Sequence, residues 1–177
     1  MPNWCDNILI LECNDAVQIQ RAIKAYNENR LLSEFLPEPD YKTTPVFPTF
    51  PENTEDGEAA VDPSQAWWDW RIQNWGTKWD VGSAGEPVDD IQVDETGTKV
   101  QLEFQSAWSP PLKAMRAFEE AGFSVELFYC EYGYFCGEYT TEGGNKEYDI
   151  TGTVDEVRVI IPDTLEELFG ILDFCEK

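Results

Sequence analysis

The segment from residue 37 to residue 63 constrains the fold more than any other part of the sequence, because proline recurs throughout it. Proline lacks a backbone N–H donor and fixes φ near −65°, so it interrupts helices and central strands alike. The six prolines are Pro37, Pro39, Pro45, Pro48, Pro51 and Pro63. Acidic residues lie between them and favour contact with solvent. We therefore predict a long acidic loop over residues 37–63, mobile in the free protein or pinned by Phe47 and Phe50.

The residues on either side of this loop carry ordinary strand and helix signals. The apolar run at residues 8–11 predicts a buried strand, and Asn14 or Asp15 is a suitable N-cap for a helix reaching about Asn29. Beyond the loop, the string Asp62-Pro63-Ser64-Gln65 combines an N-cap acid, proline at the first helical position and glutamine three residues after the cap. It predicts a tryptophan-rich helix that ends at Gly76.

Two later segments alternate between apolar and polar residues with period two. The first lies within residues 91–104, around Gly97, and the second within residues 124–141, around Gly133. Each predicts a β-hairpin with one face toward the core. Between them, residues 109–122 begin with Ser-Pro-Pro, an N-cap followed by proline, and end with glycine, a common residue after the last turn of a helix. They predict a helix.

The C-terminal residues predict an extension of the fold. Residues 140–146 are polar and indicate a loop, residues 156–161 are rich in β-branched side chains and indicate a strand, and Asp163 begins a short helix. The fold class is therefore α+β, a ferredoxin-like sandwich with an antiparallel-dominated sheet and helices on one face. We expect residues 1–177 to form a single domain in which residues 142–177 are the C-terminal extension.

Composition excludes several classes of protein. The net charge is −23, from 12 basic and 35 acidic residues among 177. Such a charge repels nucleic acid and anionic membranes and attracts basic partners, although solubility or salt adaptation would account for it equally well. Histidine is absent, which excludes Ser–His and Cys–His catalysis and histidine-ligated metals. Five cysteines without a CxxC pair, and no signal peptide or membrane span, indicate the reducing cytoplasm. We expect no enzyme activity, cofactor or metal.

Five motifs occur in a characteristic order. They are Met1-Pro2-Asn3-Trp4-Cys5-Asp6-Asn7, Phe35-Leu36-Pro37-Glu38-Pro39, Asn74-Trp75-Gly76-Thr77-Lys78-Trp79-Asp80, Ala107-Trp108-Ser109-Pro110-Pro111 and Tyr132-Gly133-Tyr134-Phe135-Cys136-Gly137. Together they resemble the YubB-like family of plasmid- and phage-encoded proteins, which have a ferredoxin-like domain and no established activity. The resemblance covers about residues 1–141, and the loop between Pro39 and Asp62 is longer than the usual pattern. It implies a mobile-element origin and a role inside a bacterial host, with no catalytic residues to carry over.

The candidate site residues lie in and after the tryptophan-rich helix. Trp67, Trp68 and Trp70 cannot all face one way on a helix, so we expect Trp68 or Trp70 at the surface and most other indoles in the core. The polar residues after Gly76 form either a site or a helix stop whose side chains satisfy loop backbone. The predicted partner-binding residues are Trp68, Trp70, Lys78, Trp79 and Asp80.

Three functions remain open. The first is an acidic phage or plasmid protein that binds a basic host protein, including one that itself binds nucleic acid, as a DNA mimic or anti-defence modulator would. The second is a carboxylate- or metal-dependent hydrolase that uses Asp80, Glu103 and Glu131. The third is a binder of single-stranded nucleic acid through exposed tryptophans. The missing basic patch argues against direct nucleic-acid binding.

Overall fold

The computed structural model describes residues 3–44, 46, 65–84 and 91–175. Over these residues the chain is an α+β protein with one six-stranded antiparallel sheet and seven α-helices. The strands are β1 (Trp4–Glu12), β2 (Gln92–Val93), β3 (Lys99–Ala107), β4 (Ser124–Glu131), β5 (Phe135–Thr140) and β6 (Gly144–Asp149). The helices are α1 (Ala16–Asn27), α2 (Leu31–Phe35), α3 (Ala66–Asn74), α4 (Met115–Glu120), α5 (Val154–Arg158), α6 (Asp163–Phe169) and α7 (Ile171–Cys175). Most of the predicted loop at residues 37–63, and the predicted helix start at Asp62-Pro63, lie outside the described residues.

The two central strands of the sheet are β1 and β4. The strand order is β2-β3-β1-β4-β5-β6, and all neighbouring strands are antiparallel. Side chains alternate across a strand, so Leu9 and Asp6 point to opposite sides of the sheet. We call the side that carries Leu9 the first face and the side that carries Asp6 the second face. The predicted strand at residues 8–11 is confirmed, and β1 extends beyond it at both ends.

The first face is covered by helices and carries what we call the main core. Asp15 is the N-cap of α1, and its carboxylate accepts a hydrogen bond from the Val17 amide at 2.9 Å. This cap fixes the start of a helix whose apolar stripe packs on the sheet. α4 adds a second layer of apolar side chains. The buried residues of the main core include Leu9, Ile19, Leu102, Phe118 and Leu127.

The predicted hairpins and the helix between them are confirmed. β2 pairs with β3 through a turn in which Gly97 has φ +71°, and β4 pairs with β5 through a turn in which Gly133 has φ +81°. The helix between them begins as a 3₁₀ turn at Leu112–Ala114 and continues as α4. Gly122 follows α4 with φ +95°, a conformation that L side chains rarely adopt.

The prediction of helices on one face only is wrong. α5, α6 and α7 pack on the second face, over the half of the sheet formed by β4, β5 and β6. Their apolar side chains enclose what we call the second core, which consists of Cys130, Cys136, Ile150, Val157, Ile161, Leu165 and Ile171. The physical reason is that β4 has apolar residues on both sides, with Leu127 toward the first face and Phe128 toward the second. A strand of this kind is stable only when both faces are covered.

Two predictions for the C-terminal extension are also wrong. The predicted loop at residues 140–146 contains the start of β6, which pairs with β5 after a three-residue turn that Gly144 closes at φ +67°. The predicted strand at residues 156–161 is instead the second half of α5 followed by a turn, because Thr153 and Glu156 form a capping box that starts α5. The helix predicted to begin at Asp163 is confirmed as α6.

Candidate functional site

The N-terminal end of β1 and the C-terminal end of β3 meet at one end of the sheet, where Trp4 pairs with Ala107. The turn after α3 is fixed to this end by hydrogen bonds. The Thr77 hydroxyl donates to the Ala107 carbonyl and accepts from the Ala107 amide, both at 3.1 Å. The Ser109 hydroxyl donates to the Gly76 carbonyl at 2.6 Å. The side chains that follow Thr77 are therefore placed against the end of the sheet.

Exposed indoles cluster at this end of the sheet. Trp4 is 46% exposed, Trp79 37% and Trp108 41%, and the rings of Trp4 and Trp79 lie 5.8 Å apart. The Lys78 ammonium lies 4.9 Å from the ring centroid of Trp79, 5.2 Å from that of Trp108 and 6.0 Å from that of Trp67. Cation–π attraction at these distances holds the group together. We call Trp4, Trp67, Lys78, Trp79 and Trp108 the indole patch.

The backbone at Trp108 is unusual. Its φ is +66°, in the left-handed region that bulky residues rarely adopt, and its amide donates to the Asn3 carbonyl at 3.0 Å. Such a conformation costs of order 1–3 kcal/mol and occurs where the surrounding structure enforces it, often at binding sites. A large exposed indole is thus held in a backbone conformation that only glycine adopts without strain.

The structure brings two of the five predicted site residues into the indole patch. Lys78 and Trp79 belong to it, whereas Trp68 and Trp70 are half-buried on α3. Trp70 packs against the main core, with its ring edge-on to Trp75 at 5.6 Å. Sequence reasoning did not single out Trp4 and Trp108 as exposed. Trp4 lies two residues before the polar Asp6 on β1 and therefore points to the same side of the sheet. This alternation was the signal in the sequence that Trp4 is exposed.

Asp80, the fifth predicted residue, binds backbone amides. Its carboxylate accepts hydrogen bonds from the amides of Leu32 at 2.7 Å, Ser33 at 3.1 Å and Val81 at 2.9 Å. Leu32 and Ser33 lie in the first turn of α2, whose own N-cap residue, Arg30, makes no side-chain cap hydrogen bond. Asp80 therefore caps α2 from a distant part of the chain. This matches the alternative in which polar side chains after Gly76 satisfy loop backbone.

Arg71 of α3 supports the inner side of the indole patch. It donates to both oxygens of Glu38, at 2.8 and 2.6 Å, and its guanidinium lies 5.2 Å from the Trp67 ring. Burial raises the pKa of Glu38, but hydrogen bonds from Arg71 and Tyr41 lower it by more, so the net pKa shift is downward. The carboxylate therefore stays charged and keeps Arg71, and with it Trp67, in place.

A cavity of about 790 Å³ opens beside the indole patch. Trp4 and Trp79 line it together with Leu168 and Phe169 of α6. Its lining also includes Asp6, Ile8, Glu103, Gln105 and Tyr132. The Tyr132 hydroxyl donates to the Phe169 carbonyl at 3.1 Å, and burial raises the Tyr132 pKa to about 12, so it remains a donor. Because Tyr26 of the main core and residues 80–84 also line it, the cavity extends beyond the second face, and α6 borders only part of it.

Two carboxylates of the cavity are oriented by glutamines. Asp6 Oδ1 accepts from the Gln105 amide at 2.8 Å, and Glu103 Oε1 accepts from the Gln101 amide at 3.0 Å. Among the described residues, neither carboxylate is in an ion pair, and no Lys or Arg lines the cavity. The cavity is thus negatively charged, with hydrogen-bond acceptors in fixed positions.

The three carboxylates named for a hydrolase do not converge. Glu103 lies opposite Ile8 and so belongs to the second face, whereas Glu131 is in phase with Tyr129 and belongs to the first face. Glu131 is buried and accepts from the Asn3 side-chain amide at 2.9 Å. Asp80 caps α2. Within the described part of the chain, no group of three or more His, Cys, Asp or Glu side chains is placed to hold a metal ion.

Comparisons with known proteins give no assignment. No family model matches the chain, and neither a curated protein nor a solved structure matches it significantly. Among residues 3–44, 46, 65–84 and 91–175, no helix has both the length and the apolar character to cross a membrane.

Proposed function

We propose that this protein is a binding protein of a phage or plasmid that engages a basic protein of its bacterial host through the indole patch. The observation that carries the proposal is the set of exposed indoles around Lys78 beside a negatively charged cavity. Aromatic side chains of this kind dominate the binding energy of protein interfaces. Exposed clusters of them mark interaction sites on soluble proteins.

The backbone strain at Trp108 supports a role in binding. Trp108 combines a backbone φ of +66° with a side chain that is 41% exposed, so part of a large indole is presented to solvent at a strained position. Glycine at this position would relieve the strain. The presence of a tryptophan here is therefore better explained by contact of its exposed indole with a binding partner.

The fold supports the proposed family. β1, α1, β2, β3, α4 and β4 follow the order β-α-β-β-α-β, with α2 and α3 inserted after α1, and the spatial order β2-β3-β1-β4 is antiparallel throughout. This is the arrangement of a ferredoxin-like unit, which we propose for the first four strands. The motif resemblance to YubB-like proteins is the basis for placing the protein on a mobile element and in the host cytoplasm.

The net charge indicates the kind of partner. A charge of −23 attracts a basic surface over long range and accelerates association in a salt-dependent way. A basic partner that itself binds nucleic acid would make this protein a DNA mimic or an anti-defence modulator. The rival reading, direct binding of single-stranded nucleic acid on the indoles, requires phosphate contacts that a protein of this charge repels.

The proposal is tested by retention of host proteins on the immobilised protein across a salt series, with lysate treated with nuclease. We expect retention that falls as salt rises and that is strongly reduced by Trp79→Ala and by Trp108→Gly. Val17→Ala is the control, because Val17 is 73% exposed and follows the opposite end of β1. Retention that is equal for all three variants would refute the proposal. Retention that disappears on nuclease treatment, with gel shifts of single strands at low salt, would favour the nucleic-acid reading.

A further inference from the structure

The half of the second face that β1 and β3 form carries no helix in the described part of the chain. The second core packs on β4 and β5, and only Leu168 and Phe169 of α6 reach the border of the β1–β3 half. The register of the two strands places alternate side chains of both on this side of the sheet. We call this group the open strip: Trp4, Asp6, Ile8, Ile10 and Glu12 of β1, and Lys99, Gln101, Glu103 and Gln105 of β3.

The open strip has an apolar centre that is only partly covered. Ile8 and Ile10 are half-buried, Trp4 is exposed at one end, and Leu168 at the border is 39% exposed. The cavity of about 790 Å³ is lined by Ile8, and a second depression of about 240 Å³ is lined by Ile10. β1 therefore resembles β4 in having apolar side chains on both sides, but only its first face is packed by helices. A strand of this kind gains stability when its second face is covered, so the open strip is suited to docking.

The dimensions of the open strip match those of a helix. β1 has nine residues, which at about 3.3 Å per residue span about 30 Å, the length of a helix of roughly 20 residues. Two strands, each about 4.8 Å wide, make a strip about 10 Å across, close to the diameter of one helix. A helix laid along the strip would continue the layer that α5, α6 and α7 form on the other half of the same face. The apolar stripe of an amphipathic helix would then contact Ile8, Ile10 and Leu168.

The charges of the open strip favour a basic helix. Its carboxylates are Asp6, Glu12 and Glu103, and Glu126 of β4 lies on the same side of the sheet. None of these four carboxylates is in an ion pair within the described ranges, and Lys99 is the single basic residue of the strip. Lysine and arginine side chains beside the apolar stripe of a helix would pair with the carboxylates. A second copy of this chain carries the same charge of −23 and would be repelled.

We infer that the open strip binds a basic amphipathic helix of the partner, with the apolar stripe of the helix on Ile8, Ile10 and Leu168 and its cations on the neighbouring carboxylates. This inference rests on the proposed function and deepens it, because it names the structural element that the partner presents. Trp4 belongs to both the open strip and the indole patch, so the two surfaces are continuous and one partner can occupy both.

The test is a titration of the full-length protein with a designed peptide of about 18 residues, in which leucines occupy one face of a helix and lysines flank them. The control peptide has the same composition with the leucines distributed around the helix, so it keeps the charge and loses the apolar stripe. We expect saturable binding of the designed peptide in calorimetry, with a gain of helix in circular dichroism. Methyl NMR should show shifts of Ile8 and Ile10, and no shift of Ile19 in the main core.

Two matched substitutions separate the open strip from the rest of the surface. Leu168→Gln removes an exposed leucine at the border of the strip, whereas Val159→Gln removes an 81% exposed valine that lines neither depression. Leu168→Gln should weaken binding about tenfold, as expected when contact with one apolar side chain is lost, and Val159→Gln should leave binding unchanged. Denaturant unfolding of both variants checks that the fold is intact. Asp6→Asn should also weaken binding, and its effect should fade as salt rises.

Equal binding of the two peptides, or equal weakening by Leu168→Gln and Val159→Gln, would show that only net charge matters and would overturn the inference. Absence of binding would overturn it as well. Shifts of the Ile8 and Ile10 signals on dilution of the protein alone would assign the open strip to a second copy, with the same consequence. If host-protein retention depends on the indoles while the designed peptide fails to bind, the inference is wrong and the proposed function stands. Retention that the indole substitutions leave unchanged would refute the proposed function and, with it, the partner inferred here.

Discussion

The two faces of the sheet are covered in different ways. On the first face, the twelve-residue helix α1 and α4 pack on β3, β1 and β4 and bury large side chains from distant parts of the chain. On the second face, three helices of five to seven residues, all from the C-terminal extension, cover only the β4–β6 half. Short helices have little stability of their own and depend on packing. We therefore expect the main core on the first face to contribute most of the stability of the fold. The helices on the second face stabilise only the strands beneath them, and the cavity lies where these helices end.

The largest effect should come from the main core. Phe118 is fully buried, and its ring lies 4.6 Å from that of Phe35 and 6.3 Å from that of Phe123. Phe118→Ala should lower the free energy of unfolding by about 3–5 kcal/mol, because it removes apolar contact and leaves a cavity. Denaturant unfolding followed by circular dichroism measures this, with Val17→Ala as an exposed control. A cost below about 1 kcal/mol would mean that the first face is not the stable one.

Truncation in the second core should have a smaller global effect. Leu165 is fully buried on α6. In a continuous core, substitution of such a leucine by alanine lowers the free energy of unfolding by about 2–5 kcal/mol. Here we expect Leu165→Ala to release α5–α7 without unfolding the sheet, because these helices are contiguous in the chain and can open locally. Hydrogen exchange should rise in residues 154–175 and stay unchanged in β1 and β4. A uniform rise across all strands would show that the two cores form one cooperative unit.

Substitutions of Asp80 test whether this predicted site residue stabilises the fold or binds a partner. Asp80→Ala removes the acceptor for amides of Leu32 and Ser33, and α2 carries two buried leucines of the main core. We expect a loss of about 1–2 kcal/mol in unfolding free energy, the usual range for a helix cap. Asp80→Asn keeps one acceptor oxygen and should lose less. Reduced partner binding by Asp80→Asn at unchanged stability would instead place Asp80 in the binding site.

Sequence reasoning succeeded where local signals and burial agree. The alternation of β3 and β4, the cap of α1 at Asp15 and the glycine after α4 each predict an element that the structure contains. It failed at β6, an exposed edge strand held by pairing with β5 rather than by apolar residues. It failed at α5 because the cap at Thr153 outweighs the β propensity of Val157 and its neighbours.

The candidate site was predictable only in part, because exposure depends on tertiary packing. Lys78 and Trp79 follow a helix stop that is visible in the sequence, and both lie in the indole patch. Trp4 and Trp108 reach it from strand ends that are distant in the chain. The cavity needs α6 on the second face, a position that no periodicity in the sequence reveals.

The smallest effect concerns the pH response of the second-face helices. Glu156 accepts from the Thr153 amide at 2.9 Å and from the Thr153 hydroxyl at 2.8 Å, and these hydrogen bonds lower its pKa from the ordinary value of 4.5. Because the pKa is lower in the folded state, the capping interaction contributes fully above the unfolded pKa and is lost as the pH falls through the folded value. The Thr153 amide signal in NMR should therefore titrate with a midpoint below 4.5.

Glu156→Gln provides the control for this prediction. Glutamine can keep the capping-box hydrogen bond but does not titrate, so the Thr153 amide signal should lose its pH response while the helix remains. Other carboxylates of the second face titrate in both proteins and cancel in the difference. A midpoint at or above 4.5 in the unsubstituted protein would mean that the capping box does not form in solution. The cover of the second face would then be weaker than its comparison with the first face already indicates.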